Sequence, residues 1–303
     1  MQMPLFQGMT ATLVALALAA PLHAQRPVDI RRAATPNVSV RLSGAFSALA
    51  VSQWAHDSIA LTGSVGAGTR LDGGPLNASG PVIGMKFYVE APEGASLAPN
   101  RLELRVPRGA RVWVKAGSAD ITVDGVAGGL DLNIMGGSVR VSGKPRELLV
   151  ESMDGAVTFS GYADFARLKT ATGDITVQEG GGEDLHLSTV GGAIRVNPGK
   201  RTLQRGRFES VTGPVTYTGA LERGGDIRFD THSGAIELRI PRSSALEMDA
   251  ISITGAIENA WSSSRPIAGR EGRGMELGFS SGMAGARVSI RSFKGNVRIA
   301  PAP

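Results

Sequence analysis

A short phrase, a glycine followed by an alternating strand, returns along the chain and constrains its fold more than any other feature. Alignment on the residue before the second strand gives the anchor positions Ala119, Gly137, Gly155, Gly173, Gly192, Gly213, Gly234, Gly255 and Gly295. The last step, from Gly255 to Gly295, is about twice as long as the others and hides an insertion or a degenerate coil. A regular period of about 20 residues, as in the other steps, is typical of solenoids.

The residues around each anchor repeat by class. Two residues after the anchor stand only β-branched aliphatic residues, namely Ile121, Val139, Val157, Ile175, Ile194, Val215, Ile236, Ile257 and Val297. Three before it stands a column of hydroxyl residues, Ser152, Thr170, Thr189, Ser210, Thr231, Ser252 and Ser292. The alternation predicts strands with one buried face. The hydroxyls are expected to fit a tight corner and to bond from coil to coil, and the glycines to take positive φ.

A single repeat cannot bury its own apolar face, whereas stacked repeats can. We therefore predict an all-β fold, a parallel β-solenoid with two short strands per coil of about 18–21 residues. Regular short strands also suit a β-sandwich. A sandwich needs only alternation, however, and not the same residue class at the same offset in successive repeats.

The chain is expected to hold one folded domain behind a leader. The apolar run "TLVALALAA" before Pro21 reads as part of a secretory signal peptide over residues 1–24, cleaved after Ala24. No later segment has about 18 apolar residues, so we expect no transmembrane segment after cleavage. The remaining predicted parts are a flexible lead (25–36) and a solenoid domain (37–303) with irregular first coils (37–116), regular coils (117–260), a polar insertion (262–284) and a final coil (285–300).

Composition excludes several classes of protein. Hydrophobic residues make up 42% and charged residues 19%, which is not a disordered composition. Cysteine is absent, so the chain has no disulfide, thiolate metal site or cysteine nucleophile. A net charge of +5 permits contact with a polyanion without demanding one. Because the chain has no long Lys/Arg run, we expect no nucleic acid partner.

Three segments carry a family resemblance. The repeated Gly-x-Ile/Val rungs, "SGAFSALAVSQWAHDSIALTG" (43–63) and "IPRSSALEMDAISITGAIEN" (240–259) resemble the DUF4097 family of bacterial adhesin-like proteins. The resemblance covers about residues 37–300 and implies an exported β-strand-repeat protein with no established catalytic residues to transfer. Ala55 stands where relatives show an acidic residue after the tryptophan, and Asp57 follows two residues later.

Histidines offer little catalytic chemistry. His56-Asp57-Ser58 contains the residue types of a triad, but adjacent residues cannot converge as separate elements do. His186 is expected on an outward row, and His232 at a corner in a column that is otherwise apolar. No two histidines have ligand spacing, so we expect neither a zinc site nor another cofactor.

Stacking is expected to bring basic residues together. Arg167, His186, Arg207 and Arg228 fall on one outward column in four consecutive coils, and Lys200, Arg201 and Arg205 lie in or beside a longer turn. These seven residues are the candidate polyanion-binding site. Lys169, Ser188, Glu209 and Asp230 lie two residues along the same strands. This neighbouring column favours a self-compensated, solvated sheet over a binding stripe.

Two acidic pairs, Glu209 with Asp230 and Glu237 with Glu258, are also expected to stack. Two carboxyl groups are the minimum for glycoside hydrolysis, but they must flank a bond in a cleft with one pKa raised. On open sheet faces these pairs argue against catalysis. Whether they hold a cation stays open.

The first interpretation is an exported, non-enzymatic, adhesin-like scaffold in the periplasm or outside the cell. Its flat faces would meet an acidic cell-surface polysaccharide or an envelope protein through repeated weak contacts. The alternatives are a polysaccharide-active β-helix enzyme, which would need a charged groove, and a structural envelope component that stacks through its ends.

Overall fold

The computed structural model describes residues 25–269 and 272–302, so the predicted signal peptide lies outside the described residues. These residues form 22 strands in one hydrogen-bonded sheet, and the all-β prediction is confirmed. In this part of the chain no helix has the length and apolar character needed to cross a membrane.

The strands vary in length because several run through two repeat positions. The first eleven are β1 (Arg26–Gly44), β2 (Ala48–Trp54), β3 (Ser58–Val65), β4 (Arg70–Pro75), β5 (Val82–Glu90), β6 (Arg101–Pro107), β7 (Arg111–Asp124), β8 (Gly129–Gly143), β9 (Glu147–Ser152), β10 (Ala156–Thr170) and β11 (Ile175–Thr189). The others are β12 (Ile194–Asn197), β13 (Leu203–Ser210), β14 (Val215–Thr218), β15 (Leu221–Thr231), β16 (Ile236–Ile240), β17 (Leu246–Ser252), β18 (Ile257–Asn259), β19 (Ile267–Ala268), β20 (Met275–Ser281), β21 (Ala286–Ser292) and β22 (Val297–Pro301).

The pairing divides the sheet into two layers that share a core. Layer A follows the spatial order β4, β5, β1 (39–44), β7 (111–116), β8 (129–134), β9, β10 (165–170), β11 (184–189), β13, β15, β21, β17 and β20. Layer B follows β3, β6, β2, β7 (120–124), β8 (138–143), β10 (156–161), β11 (175–178), β12, β14, β16, β22 and β18. Successive repeats pair in parallel, and the antiparallel pairs lie at the two ends.

The aliphatic column predicted from sequence lies in register in layer B. Val157 pairs with Val139 on one side and with Ile175 on the other, and Ile194, Val215 and Ile236 continue the row. These side chains are buried and belong to one continuous apolar core. Across that core the Tyr217 ring of layer B lies 6.2 Å from Phe208 and 6.4 Å from Phe229 of layer A.

The side chains of the hydroxyl column form hydrogen bonds at the corner between the two layers, as predicted. Thr170 Oγ1 donates to Gly173 O at 2.6 Å and lies 3.1 Å from Thr189 Oγ1 of the next repeat. Ser210 repeats the first of these bonds with Gly213 O, at 2.7 Å. All seven hydroxyl residues of the column are buried, so these bonds satisfy polar groups that water does not reach.

The anchor glycines are required for a different reason from the one predicted. Among the eight glycine anchors of the described chain only Gly137 has a positive φ, of 96°. The others lie directly against the turn of the neighbouring repeat. A Cβ atom on Gly213 would lie 1.8 Å from Gly192 O, and one on Gly192 would lie 2.0 Å from Gly173 O. Close approach of one backbone to another therefore excludes a side chain at these positions.

The repeats do not stack in sequence order at the C-terminal end. Strand β21 lies between β15 and β17, and β22 lies between β16 and β18. The final repeat (285–300) is therefore inserted one place inward. Within the predicted polar insertion, β20 pairs antiparallel with β17 and covers its outer edge. Trp261 supports this end, because its ring stacks on Phe279 at 5.6 Å and its Nε1 donates to Ile240 O at 3.0 Å.

At the N-terminal end, too, the strands do not pair in sequence order. The second half of β1 lies between β5 and β7, and β2 lies between β6 and β7. The prediction of a flexible lead over 25–36 is wrong, because this segment is almost entirely the first part of β1 and pairs antiparallel with β3 from Arg26 to Ala33. Val28 and Ala34 are buried there, and the polar residues between them obscured the alternation.

Candidate functional site

The outer face of layer A carries most of the chain's candidate binding groups. Its strands present alternate side chains to solvent, so outward residues of neighbouring strands form straight columns about 4.8 Å apart. The face is zoned: cations and aromatic rings lie near β5, β1 and β7, carboxylates near β8 and β9, and mixed charges from β10 onward.

The predicted basic column exists as a row of adjacent side chains. Arg167 pairs in register with His186, His186 with Arg207, and Arg207 with Arg228. Ser289 of the inserted final repeat follows Arg228 and ends the row.

Acidic neighbours offset most of this column. His186 Nε2 lies 3.0 Å from Asp184, Arg207 Nε lies 2.5 Å from Glu209, and Arg228 lies 3.6 Å from Asp226. The hydrogen bond to Glu209 raises the pKa of the Arg207 guanidinium. Arg167 instead lies over the Phe165 ring, 5.6 Å from its centroid.

The basic residues near the turn after β12 do not act as one cluster. Arg201 lies over the Tyr162 ring at 5.1 Å, and Arg205 lies 3.4 Å from Asp184. Lys200 is exposed in the same turn. Arg201 and Arg205 therefore face different neighbours.

One predicted acidic pair is present and the other is wrong. Glu209 pairs in register with Asp230. Glu237 and Glu258 do not meet, because Arg298 of the inserted final repeat stands between them and pairs with both. Glu237 also binds Arg239 at 2.8 Å. The change in strand order replaces a carboxylate pair by an alternating row of charges.

Carboxylates dominate the middle of the layer A face. Asp131 lies beside Trp113 on one side and Leu149 on the other. Burial, followed by the nearby charges of Glu151 and Glu147, raises the pKa of the Asp131 carboxyl. Asn133 Nδ2 donates to Asp131 at 2.8 Å and partly opposes this shift. This zone repels anions.

Sequence reasoning missed a group of five residues at the N-terminal end of the face, Arg41, Lys86, Tyr88, Trp113 and Lys115, which we call the N-terminal patch. Lys86 pairs in register with Arg41, and Arg41 with Trp113. Four of the five, all except Lys115, line one shallow recess. The signal available in the sequence was the alternation of cations and rings in "KFY" (86–88) and "WVK" (113–115).

An apolar row marks the corner beside layer A. Its exposed large side chains are Met135, Met153, Val190, Val211, Ile253 and Phe293. His232 belongs to the same row and stacks on Phe293 with ring centroids 5.0 Å apart. The position predicted for His232 is therefore correct.

The three histidines of the described residues have different neighbours: Trp54 for His56, Asp184 for His186 and Phe293 for His232. The His56 ring packs edge-on against Trp54 at 5.1 Å, and His56 is exposed. Within residues 25–269 and 272–302, no three side chains of the His, Cys, Asp or Glu types are grouped so that they could hold a metal ion.

Comparison with known proteins gives distant structural likenesses. A crystal structure of a "putative cell adhesion protein" from Clostridium sporogenes is 8% identical, with a TM-score of 0.24, and the match covers 92% of this chain and 99% of that chain. A "putative adhesin" from Bacteroides fragilis is 11% identical, with a TM-score of 0.41, and the match covers 91% of this chain and 98% of that chain.

No curated protein matches the chain. The sequence model of one family, Toastrack DUF4097, matches residues 25–300. This match spans most of the chain and includes every strand of both layers except the last residue of β22. The chain belongs to the Toastrack DUF4097 family.

Proposed function

We propose that the chain is an exported, non-enzymatic parallel β-solenoid that works as an adhesin-like scaffold. It would present the outer face of layer A to a polymer or protein of the cell surface. The observation that carries the proposal is the straight, in-register stacking of outward side chains, as in the row from Arg167 to Arg228. A row with regular spacing suits a partner that itself repeats.

The charge pattern supports weak and repeated contacts. Most cations of the basic column have a carboxylate within salt-bridge distance, so each can offer a partner only part of its charge. Several such contacts along one rod add up through multivalency. Of the seven candidate residues, Arg167, Lys200 and Arg201 have no carboxylate within salt-bridge distance in the described part of the chain and are the most open to an anion.

The geometry favours neither alternative function. A polysaccharide-active enzyme needs carboxyl groups that flank a bond in a cleft. Glu209 and Asp230 line a charged recess of layer A, but they stand side by side on neighbouring strands with Arg207 and Arg291 beside them, instead of facing each other across the recess. Assembly through the ends needs exposed strand edges. The outermost strands of layer A offer little regular edge, because β4 is short and ends in Gly-Gly-Pro and β20 is covered in part by β19.

An array of glycans and polyanions, probed with the purified chain at low and high salt, tests this function. We expect binding to acidic polymers that weakens as salt rises, because exposed charges are screened. The double variant Arg167→Glu/Arg207→Glu should weaken that binding. The matched control, Arg140→Glu/Lys144→Glu, makes the same charge change on or beside layer B and should have a smaller effect. If Arg167→Glu/Arg207→Glu binds acidic polymers as strongly as the control variant does, the basic column has no role in binding.

A further inference from the structure

The N-terminal patch combines flat rings with cations on three adjacent strands. Tyr88 and Lys115 lie on either side of Ser43, and Lys86 and Trp113 lie on either side of Arg41. With strands about 4.8 Å apart and residues two apart about 7 Å along a strand, the patch measures roughly 10 by 7 Å. Tyr88 is 51% exposed. These dimensions match a short stretch of a sugar chain.

The cations of the patch are available. In the described part of the chain, Arg41, Lys86 and Lys115 have no carboxylate within salt-bridge distance. The acidic residue that lines the recess, Asp72, is engaged by Arg70 at 2.9 Å. The basic column lacks this property, because Arg207, Arg228 and the His186 ring each lie close to a carboxylate.

The edge of the recess is open. Strand β4 is the neighbour of β5 on that side, and it places Gly74 opposite Lys86 and Gly73 opposite Phe87. No heavy atom lies within 4 Å of the position where a Cβ on Gly74 would be. An extended polymer can therefore leave the patch across β4 at Gly74, beside Lys86, whereas Asp72 stands opposite Tyr88.

We infer that the N-terminal patch binds a carboxylated polysaccharide. The Trp113 and Tyr88 rings offer rigid apolar surfaces to the C–H faces of sugar rings, and the Arg41 guanidinium can hold a carboxylate with two parallel hydrogen bonds. Lys86 and Lys115 add charge on both sides. An acidic peptide would satisfy the cations but would leave the rings without flat partners.

The carboxylates on β8 and β9 form the boundary of the N-terminal patch on that side. Asp131 lies directly beside Trp113, and Glu147 and Glu151 follow on the next strand. A bound anionic chain would be repelled from this direction and directed toward β5 and β4. The inference rests on the proposed function and deepens it, because it names the subsite and the ligand class.

Isothermal titration with polygalacturonate as the probe tests the inference. Removal of one unpaired cation in Lys86→Gln, or of the ring in Tyr88→Ala, should weaken binding about tenfold, since each removes a contact worth about 1.4 kcal/mol. The double variant Arg140→Gln/Lys144→Gln is the matched control outside layer A and should change binding less than twofold. All variants should keep the melting temperature of the wild type, because the changed side chains are exposed.

Two further probes separate the possible outcomes. Dextran, a neutral glucan, should not bind measurably, and binding of polyaspartate should be insensitive to Tyr88→Ala. Equal loss of polygalacturonate and polyaspartate binding in Tyr88→Ala would indicate a site for acidic peptides and overturn the inference. Unchanged binding of polygalacturonate in Lys86→Gln and Tyr88→Ala would also overturn it. In that case, loss of binding in Arg167→Glu/Arg207→Glu would leave the proposed function standing.

Discussion

Replacement of Gly213 by alanine tests whether close packing of turns is what requires glycine at the anchors. A Cβ on Gly213 would lie 1.8 Å from Gly192 O, whereas real Cβ atoms essentially never come closer than 3.0 Å to such a neighbour. The two turns must therefore separate until this distance grows from 1.8 Å to at least 3.0 Å. The obstacle is backbone, so no side chain can rotate away to make room.

This separation would break hydrogen bonds between repeats. Thr212 N donates to Val190 O at 2.8 Å, and Ile194 N donates to Pro214 O at 2.9 Å. Separation of the turns by the amount that the Cβ needs takes both pairs of atoms beyond bonding distance. Overpacking costs about 1–3 kcal/mol, and each lost bond costs about 1 kcal/mol more. We expect Gly213→Ala to lower the free energy of unfolding by about 3–5 kcal/mol and the melting temperature by about 10 °C.

Gly117→Ala is the matched control. No heavy atom lies within 4 Å of a Cβ at Gly117, and its φ is outside the left-handed region. Thermal unfolding followed by circular dichroism should place this variant within about 2 °C of the wild type. Hydrogen exchange should show faster exchange at Thr212 N in Gly213→Ala only. If the two variants melt together, close packing is not the reason for glycine at the anchors.

Two other variants test single contacts of the fold. Tyr217 is buried and donates to Ala220 O at 2.8 Å, so Tyr217→Phe should cost about 1 kcal/mol in urea unfolding at neutral pH, and no change would show that this bond contributes nothing. Asp131 has a raised pKa from burial and from Glu151 and Glu147, so its charge opposes folding at neutral pH and Asp131→Asn should melt above the wild type at pH 7. This advantage should shrink as pH falls through the raised pKa toward 3.8, because the wild-type carboxyl then becomes neutral too; an advantage that does not depend on pH would contradict the explanation.

The sequence predicts the repeat because every repeat meets the same constraints. Ile175 and Val215 must be aliphatic since they face one core, and Thr170 and Ser210 must carry hydroxyls since they bond to the backbone of the same corner. The sequence also shows that the anchors must be glycine, but it does not show the physical reason. Positive φ is a property of one residue, whereas the contact of Gly213 with Gly192 depends on the distance between repeats.

The binding face was harder to predict because its neighbours are far apart in sequence. Arg41, Lys86 and Trp113 come from three strands and become adjacent only when β1 lies between β5 and β7. The regular repeats kept sequence order, so the row from Arg167 to Arg228 could be predicted. The predicted pairing of Glu237 with Glu258 is wrong, because it assumed that the repeats keep sequence order at the end of the chain as well.

The charges of the last repeats favour the changed order. In sequence order, Asp226 would lie beside Glu247, and Glu237 beside Glu258. The observed order places Arg287 between the first two and Arg298 between the second two. Arg287 Nε also lies 3.6 Å from Glu247.

Each favourable or unfavourable cross-strand pair changes stability by about 0.2–1 kcal/mol. Glu247 lies beside Arg287, and Glu258 beside Arg298, in either order. The insertion therefore replaces two repulsive pairs by two attractive ones, Asp226 with Arg287 and Glu237 with Arg298. This exchange favours the inserted position by an amount on the order of 1 kcal/mol, after allowance for solvent exposure. The anchor glycines permit the insertion, because Gly295 packs against Gly234 as closely as Gly234 packs against Gly213. Because the turns pack closely around the inserted repeat, the charged side chains add a preference for the observed order to the contacts of β20 and Trp261 at this end.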